Sequence, residues 1–113
     1  MKRILFVSLL AIASAAAQAK EEPKDVATLA APCAACHGKT GAEPITPEYP
    51  ILAGQYANYL EHALKEYKTG KRKNPIMASQ VANLSDADIH ALARHYAAQK
   101  SKLHTPSVHG KDE

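Results

Sequence analysis

The five residues Cys33-Ala34-Ala35-Cys36-His37 constrain this chain more than any other stretch. A Cys-x-x-Cys-His pentad reads as an attachment site for c-type haem. Positions i and i+3 of a helical turn project to one side. Cys33 and Cys36 can therefore each form a thioether with one vinyl group of a single porphyrin. His37 follows at once and can present its imidazole to the iron. Other chemistries also use cysteine pairs. A thioredoxin-like redox pair needs a βαβ setting, and the chain has no strand-rich segment. A structural zinc site takes four ligands, commonly as two pairs, whereas the chain has 2 Cys in all. A plain disulfide or a chance match is the remaining alternative.

The beginning of the chain reads as a separate segment. Lys2 and Arg3 precede an apolar run from Ile4 to Ala13, and Ala17-Gln18-Ala19 offers small residues at a cleavage position. This is the pattern of a secretory signal peptide, expected to span 1–19 and to be cut after Ala19, with Ala17 the weaker site. The apolar run is too short for a permanent membrane span, so the mature chain is expected to be periplasmic and without a transmembrane segment. An uncleaved amphipathic anchor is the alternative. Loss of Lys2 and Arg3 takes Lys plus Arg from 14 to 12 against 11 acidic residues, so the formal net charge falls from +3 to +1. Haem carboxylates lower it further, and nothing in this balance points to nucleic acid. What is left is one small domain. Such a domain buries only a modest core, so the apoprotein is expected to fold poorly without the porphyrin's apolar surface.

Along the mature chain, Lys20 to Lys24 is polar and expected to fray. Asp25 to Ala31 reads as a short helix with Asp25 at its start, where a carboxylate is favoured. Pro32 lacks an N–H and disfavours helix in Ala31, so a kink or restart is expected at the first Cys. Gly38 to Pro50 is a loop punctuated by Gly38, Gly41, Pro44, Pro47 and Pro50. A loop this long is expected to cover the histidine side of the haem, and one of its carbonyls must accept the Nδ1–H of His37, because ligating imidazoles are oriented that way. From Gln55 to Lys68, Tyr56, Tyr59, Leu60, Ala63, Leu64 and Tyr67 form one helical stripe. Gly70 suits its C-terminus, and Glu61 can pair with Lys65. The stretch 71–84 contains Asn74-Pro75-Ile76-Met77. A lone Met is commonly core filler. In a chain with one haem and a free sixth iron position, Met77 after a Pro-stiffened turn is read as the axial thioether. Ser85 with Asp88 starts a helix in capping-box fashion, running to about Gln99 with Ile89, Leu92, Ala93 and Tyr96 on one face. His62, His90 and His95 lie off the apolar stripes and are expected to face solvent. Residues 100–113, including His104 and His109, form a polar tail. The expected architecture is all-α, with three to five short helices.

Taken together, Cys-Ala-Ala-Cys-His-Gly at 33–38, Tyr-Pro-Ile-Leu-Ala-Gly-Gln at 49–55, Lys-Thr-Gly-Lys-Arg at 68–72, Asn-Pro-Ile-Met at 74–77 and Leu-Ser-Asp-Ala-Asp-Ile at 84–89 resemble the class I c-type cytochromes. The likeness is strongest to the bacterial cytochromes c-four and the single-haem c-553 group. The resemblance implies the class I cytochrome c fold around one covalently bound haem c, over a domain at 20–99. It implies Cys33 and Cys36 as thioether residues, His37 and Met77 as axial ligands to the haem iron, and Pro50 as the residue whose carbonyl accepts from His37. It places Leu29 and Tyr96 where the first and last helices cross. The family often has Gly in the first helix at that crossing, where this chain has Asp25-Val26, and cytochromes c-four carry two such halves where this chain has one pentad. The implied role is a periplasmic one-electron carrier, between a respiratory or dehydrogenase donor and a terminal oxidase or reductase. Its partners would be redox proteins, including membrane respiratory complexes, and the chain could act as a monomer or a homodimer. Lys39 and Lys71-Arg72-Lys73 could form a docking rim. A haem subunit of a larger periplasmic dehydrogenase and a haem peroxidase with an open sixth position are the alternatives.

Overall fold

The structure, a computed structural model, describes residues 20–103. The expected leader and the tail from His104 onward lie outside the described residues. Four helices make up the secondary structure of the described part, with no strand among them: α1 (Val26–His37), α2 (Ala57–Thr69), α3 (Pro75–Val81) and α4 (Asp86–Ala97).

Helix α1 starts as expected at Asp25, whose carboxylate accepts from the Thr28 backbone N–H at 3.0 Å and from the Thr28 hydroxyl. Of the kink or restart expected at Pro32, the restart does not occur, and α1 runs through Pro32 to His37. The reason is where the lost bond falls. Pro32 cannot donate to the Thr28 carbonyl four residues back; Thr28 and Ala31 are exposed, and Pro32 is accessible while also lining the cavity at the end of α1. The opposite face, Leu29 and Ala30, is buried against α4. Packing on one side thus preserves a helix that local propensity would interrupt.

Helix α2 carries the predicted stripe from Tyr59 to Tyr67, whereas Tyr56 is its exposed N-cap residue, and it ends at Gly70, which adopts the left-handed conformation at φ +76°. Glu61 and Lys65 pair at 2.7 Å, one turn apart. Helix α3 has no counterpart among the sequence expectations. It is seven residues long and starts at Pro75, which needs no N–H donor there. The Asn74 side chain accepts from the backbone N–H groups of Ile76 and Met77 at 3.0 and 3.1 Å. Helix α4 has the full capping box: Ser85 Oγ accepts from the Asp88 N–H, and the Asp88 carboxylate accepts from the Ser85 N–H.

Helix α4 is the spine of the described part, packing against both α1 and α2, while α3 packs against α2. Leu29 and Ala30 of α1, Leu60 of α2, and Leu92, Ala93 and Tyr96 of α4 form the core. Leu29 and Tyr96 meet there despite Asp25-Val26, because Ala30 supplies the small residue that lets the helices approach. The Tyr96 hydroxyl reaches the Ala30 carbonyl at 3.5 Å. The N-terminal segment is not wholly loose. Lys24 donates through its backbone N–H and its ammonium group to Asp88, at 2.9 and 3.0 Å, and Asp88 is 1% exposed.

Candidate haem site

The site is assembled from both ends of the chain around one apolar cavity of about 500 Å³. Helix α1 brings Cys33, Cys36 and His37 to it on its last turn. Neither cysteine is in a disulfide, and both are half-buried. Burial pushes the Cys33 thiol above its ordinary range, and its Sγ lies 3.7 Å from the Leu29 carbonyl. His37 is 5% exposed. Its Nδ1 sits 2.8 Å from the Pro50 carbonyl. A carbonyl only accepts, so the proton is on Nδ1 and the Nε2 lone pair is left for a Lewis acid.

The loop that brings Pro50 there is stitched to both neighbouring helices. Gly38 reverses the chain directly after His37 at φ +86°, and a Cβ on it would lie 2.2 Å from the Glu43 carbonyl oxygen. Ile45 donates to the Cys36 carbonyl at 3.0 Å, and Leu52 and Ala53 donate to the Gly41 carbonyl. Gly54 closes the path by donating to the Tyr96 carbonyl at the end of α4. Gly41 lies flat on the Tyr96 ring, where a Cβ would come within 2.7 Å. The loop runs on to residue 56, beyond the expected end at Pro50.

Helix α2 presents Tyr59, Leu60, Ala63, Leu64 and Tyr67 to the cavity, and α4 presents Leu92, Ala93 and Tyr96. Helix α3 supplies Ile76, Met77 and Gln80. The structure thus brings Cys33, Cys36, His37, Pro50 and Met77, separated by up to 44 positions, into the lining of one cavity. Two thiols, an imidazole with a free Nε2, a thioether and an apolar lining form a donor set that fits a haem. Among the described residues no cluster of three His, Cys, Asp or Glu occurs that would suit zinc.

Two residues at the site were not anticipated. Tyr49 stands edge-on to His37 with ring centroids 6.0 Å apart. A hydrogen bond with the Cys36 thiol holds its own phenol proton on more tightly than usual. Its signal was its place beside Pro50 in the 49–55 motif. Arg72 lines the cavity, unlike Lys71 and Lys73, with which it was expected to share a docking rim. It binds Glu66, with Nε and Nη2 both 3.0 Å from Oε2. Of the histidines, His62 and His90 are exposed as expected, but each pairs with a glutamate, His62 with Glu66 at 3.2 Å and His90 with Glu61 at 2.9 Å. His95 is half-buried against Tyr96, with ring centroids at 5.0 Å.

The family model for cytochrome c matches residues 23–96, most of the described chain and every residue of the cavity. The chain belongs to the cytochrome c family. With that membership come covalently bound haem c and electron transfer in place of enzymatic catalysis. The cytochrome is 42% identical over 74 residues to cytochrome c4 of Pseudomonas aeruginosa, covering 66% of this chain and 36% of the relative. It is 40% identical over 76 residues to cytochrome c-553 of Helicobacter pylori, covering 67% of this chain and 79% of the relative. It is 36% identical over 103 residues to the thiosulfate dehydrogenase electron acceptor of Thiomonas intermedia, covering 88% of this chain and 45% of the relative. The cytochrome therefore spans most of the c-553 but less than half of the other two. No helix among the described residues is long and apolar enough to cross a membrane.

Proposed function

We propose that this cytochrome is an exported, single-haem, one-electron carrier of the periplasm, working between a respiratory or dehydrogenase donor and a terminal oxidase or reductase. Cys33 and Cys36 would bond the haem through two thioethers, His37 and Met77 would hold its iron, and the Pro50 carbonyl would orient the imidazole. The domain occupies 20–99, preceded by a leader cut after Ala19 and followed by a tail from residue 100. Haem c bound between these groups supplies an iron that exchanges one electron, with a potential raised by the methionine thioether.

The observation that carries this reading is the shared cavity, which contains an imidazole donor with its Nδ1–H already engaged and a thioether donor on a separate helix. The chain's residues do the rest. The Pro50 carbonyl fixes the ring orientation and raises the basicity of Nε2. The apolar side chains of α2 and α4 exclude water, which lowers the cost of electron transfer by limiting reorganisation of solvent. Met77 in the lining speaks against a peroxidase-like open position. The kinship with a thiosulfate dehydrogenase electron acceptor supports a sulfur-compound dehydrogenase as one class of donor, and keeps the dehydrogenase-subunit reading as the alternative.

The test is spectroscopic. Protein exported by a host able to attach haem should give the pyridine haemochrome spectrum of haem c, keep its pigment through acid–acetone extraction, and show the far-red ferric band of an iron–methionine bond. Intact-mass measurement should place the first residue at Lys20. Colourless protein, or pigment that binds cyanide rapidly and lacks the far-red band, would overturn the assignment. Stoichiometric copurification with a dehydrogenase would favour the subunit reading.

A further inference from the structure

Helix α3 is poorly equipped to hold Met77 in place by itself. It is seven residues long and buries only Val81, at the end away from Met77; its Ile76 is 55% exposed, and it packs mainly against α2. The segment between α2 and α3 begins at Gly70, in the left-handed conformation that ends α2. A glycine-led connector of five residues, 70–74, leaves the start of α3 free to swing unless something pins it. One side chain does. The Arg72 backbone N–H donates to the Glu66 carbonyl at 3.2 Å. Its guanidinium donates to the Glu66 carboxylate through both Nε and Nη2, at 3.0 Å each. The same guanidinium lies 5.8 Å from the Tyr59 ring centroid and 5.5 Å from that of Tyr67, on the α2 face that lines the cavity. Its neighbours Lys71 and Lys73 are exposed.

We propose that Arg72 is a positioning residue for Met77: by clamping the connector onto Glu66, Tyr59 and Tyr67 of α2, it fixes where α3 presents the thioether. This rests on the reading of Met77 as an axial ligand. Two residues after Arg72, Asn74 caps α3 and receives the Met77 N–H itself, so a displacement of the connector passes directly to the ligand's backbone. On the far side of α3 the Lys68 ammonium donates to the Leu84 carbonyl, closing the bracket from the same helix. Helix α2 therefore holds both ends of the Met77 segment. Arginine suits the role because its planar fork binds a carboxylate through two N–H groups while stacking on aromatic faces, which the point charge of lysine does not reproduce.

The experiment uses the ferric, haem-loaded, full-length cytochrome and follows two signals through a urea titration: the far-red iron–methionine band and far-UV ellipticity. In Arg72→Lys and Arg72→Ala the band should disappear at lower urea than the helices, with the population lacking it at a fixed low urea concentration raised about fivefold over wild type. Glu66→Gln should lie between. Lys71→Ala should match wild type. A residue that merely stabilised the fold would move both transitions together, so coincident transitions in Arg72→Lys overturn the proposal, and that variant keeps the test open if Arg72→Ala does not fold. A wild-type protein without the band, unchanged by Met77→Ala, overturns the ligand reading and this proposal with it. A normal wild-type band with coincident variant transitions overturns this proposal alone.

Discussion

The wall of the cavity that carries His37 and the wall that carries Met77 are held in different ways. His37 ends a twelve-residue helix whose buried face is packed on α4, and its ring is oriented by a loop hydrogen-bonded at Cys36, Gly41 and Tyr96. Met77 sits near the start of a seven-residue helix that depends on an asparagine cap and on α2. The first wall is over-determined, with backbone bonds, packing and a close-approach glycine all agreeing. The second is anchored by Val81 at the far end of α3, which is 1% exposed, while its Met77 end is held by a few polar contacts near solvent, each worth little alone. A redox site built this way should keep its histidine under stress and release its methionine first.

The largest expected effect removes the distinction altogether. Replacing both Cys33 and Cys36 by serine should abolish covalent pigment, so that none stays with the protein after acid–acetone extraction. Far-UV ellipticity should fall as well, because about 500 Å³ of apolar cavity is left unfilled. Next comes the sharpest test of separability. Met77→Ala should keep its covalent haem and near-native ellipticity while losing the far-red ferric band and showing a lower reduction potential. If ellipticity collapses along with the band, the two walls are one cooperative unit and the contrast fails.

How much of this was legible in the sequence follows the same division. The His37 wall was readable because its determinants are contiguous or sit in short motifs: Cys33, Cys36 and His37 within one turn, and a loop rich in Gly and Pro that had to supply a carbonyl. The stripes of α2 and α4 were readable from their periodicity. Helix α3 was not, since seven residues give too little periodicity, and Pro75 looked like a turn residue until its role at the first helical position was visible. Pro32 misled in the opposite direction, because what carries the helix through it is the burial of Leu29 and Ala30 against α4, where Ala30 meets Tyr96, 66 positions on in the chain. Arg72 was grouped with Lys71 and Lys73 by charge, although its partner Glu66 lies six residues earlier, across the turn at Gly70.

Core substitutions rank the walls on a common scale. Leu92 is 1% exposed and lies in the core shared by α1, α2 and α4. Leu92→Ala should cost about 2–5 kcal/mol in chemical denaturation. Ile76→Ala, at a cavity-lining position that is still 55% exposed, should cost less, about 1 kcal/mol. Similar costs for the two would mean that the Met77 end of α3 is bound in as firmly as the core of α4.

Acid provides a smaller handle on the His37 side. The Asp88 carboxylate accepts from the backbone N–H groups of Lys24 and Ser85 and from the Lys24 ammonium, which together hold its carboxyl well below the usual carboxylate range. A lowered folded-state value means that its stabilisation is complete above the unfolded value of about 3.9 and is lost as pH falls below it. Urea midpoints of the wild type should therefore drop on going from pH 5 to pH 3. Asp88→Asn should start lower at pH 7 and fall less steeply over that range. Equal slopes would show that the clasp between Lys24 and α4 contributes no acid sensitivity.

The smallest effect concerns the surface, and it separates the walls by charge. Beside Met77, Lys71 and Lys73 are exposed, whereas Arg72 between them is engaged with Glu66 and unavailable to a partner. Beside His37, Lys39 is exposed, but the loop that follows it also carries exposed Glu43 and Glu48. Net positive field therefore gathers at the Met77 wall, and an acidic redox partner would be steered there. Charge reversal at both Lys71 and Lys73 should slow reduction by an acidic partner roughly threefold at low ionic strength, with the difference vanishing at high salt as the Debye length shrinks to a few ångströms. Lys39→Glu should change the rate less, because it alters a surface where charges of both signs already offset one another. If Lys39→Glu has the larger effect, electrons enter by the His37 wall, and the sparser anchoring of the Met77 wall has no bearing on docking.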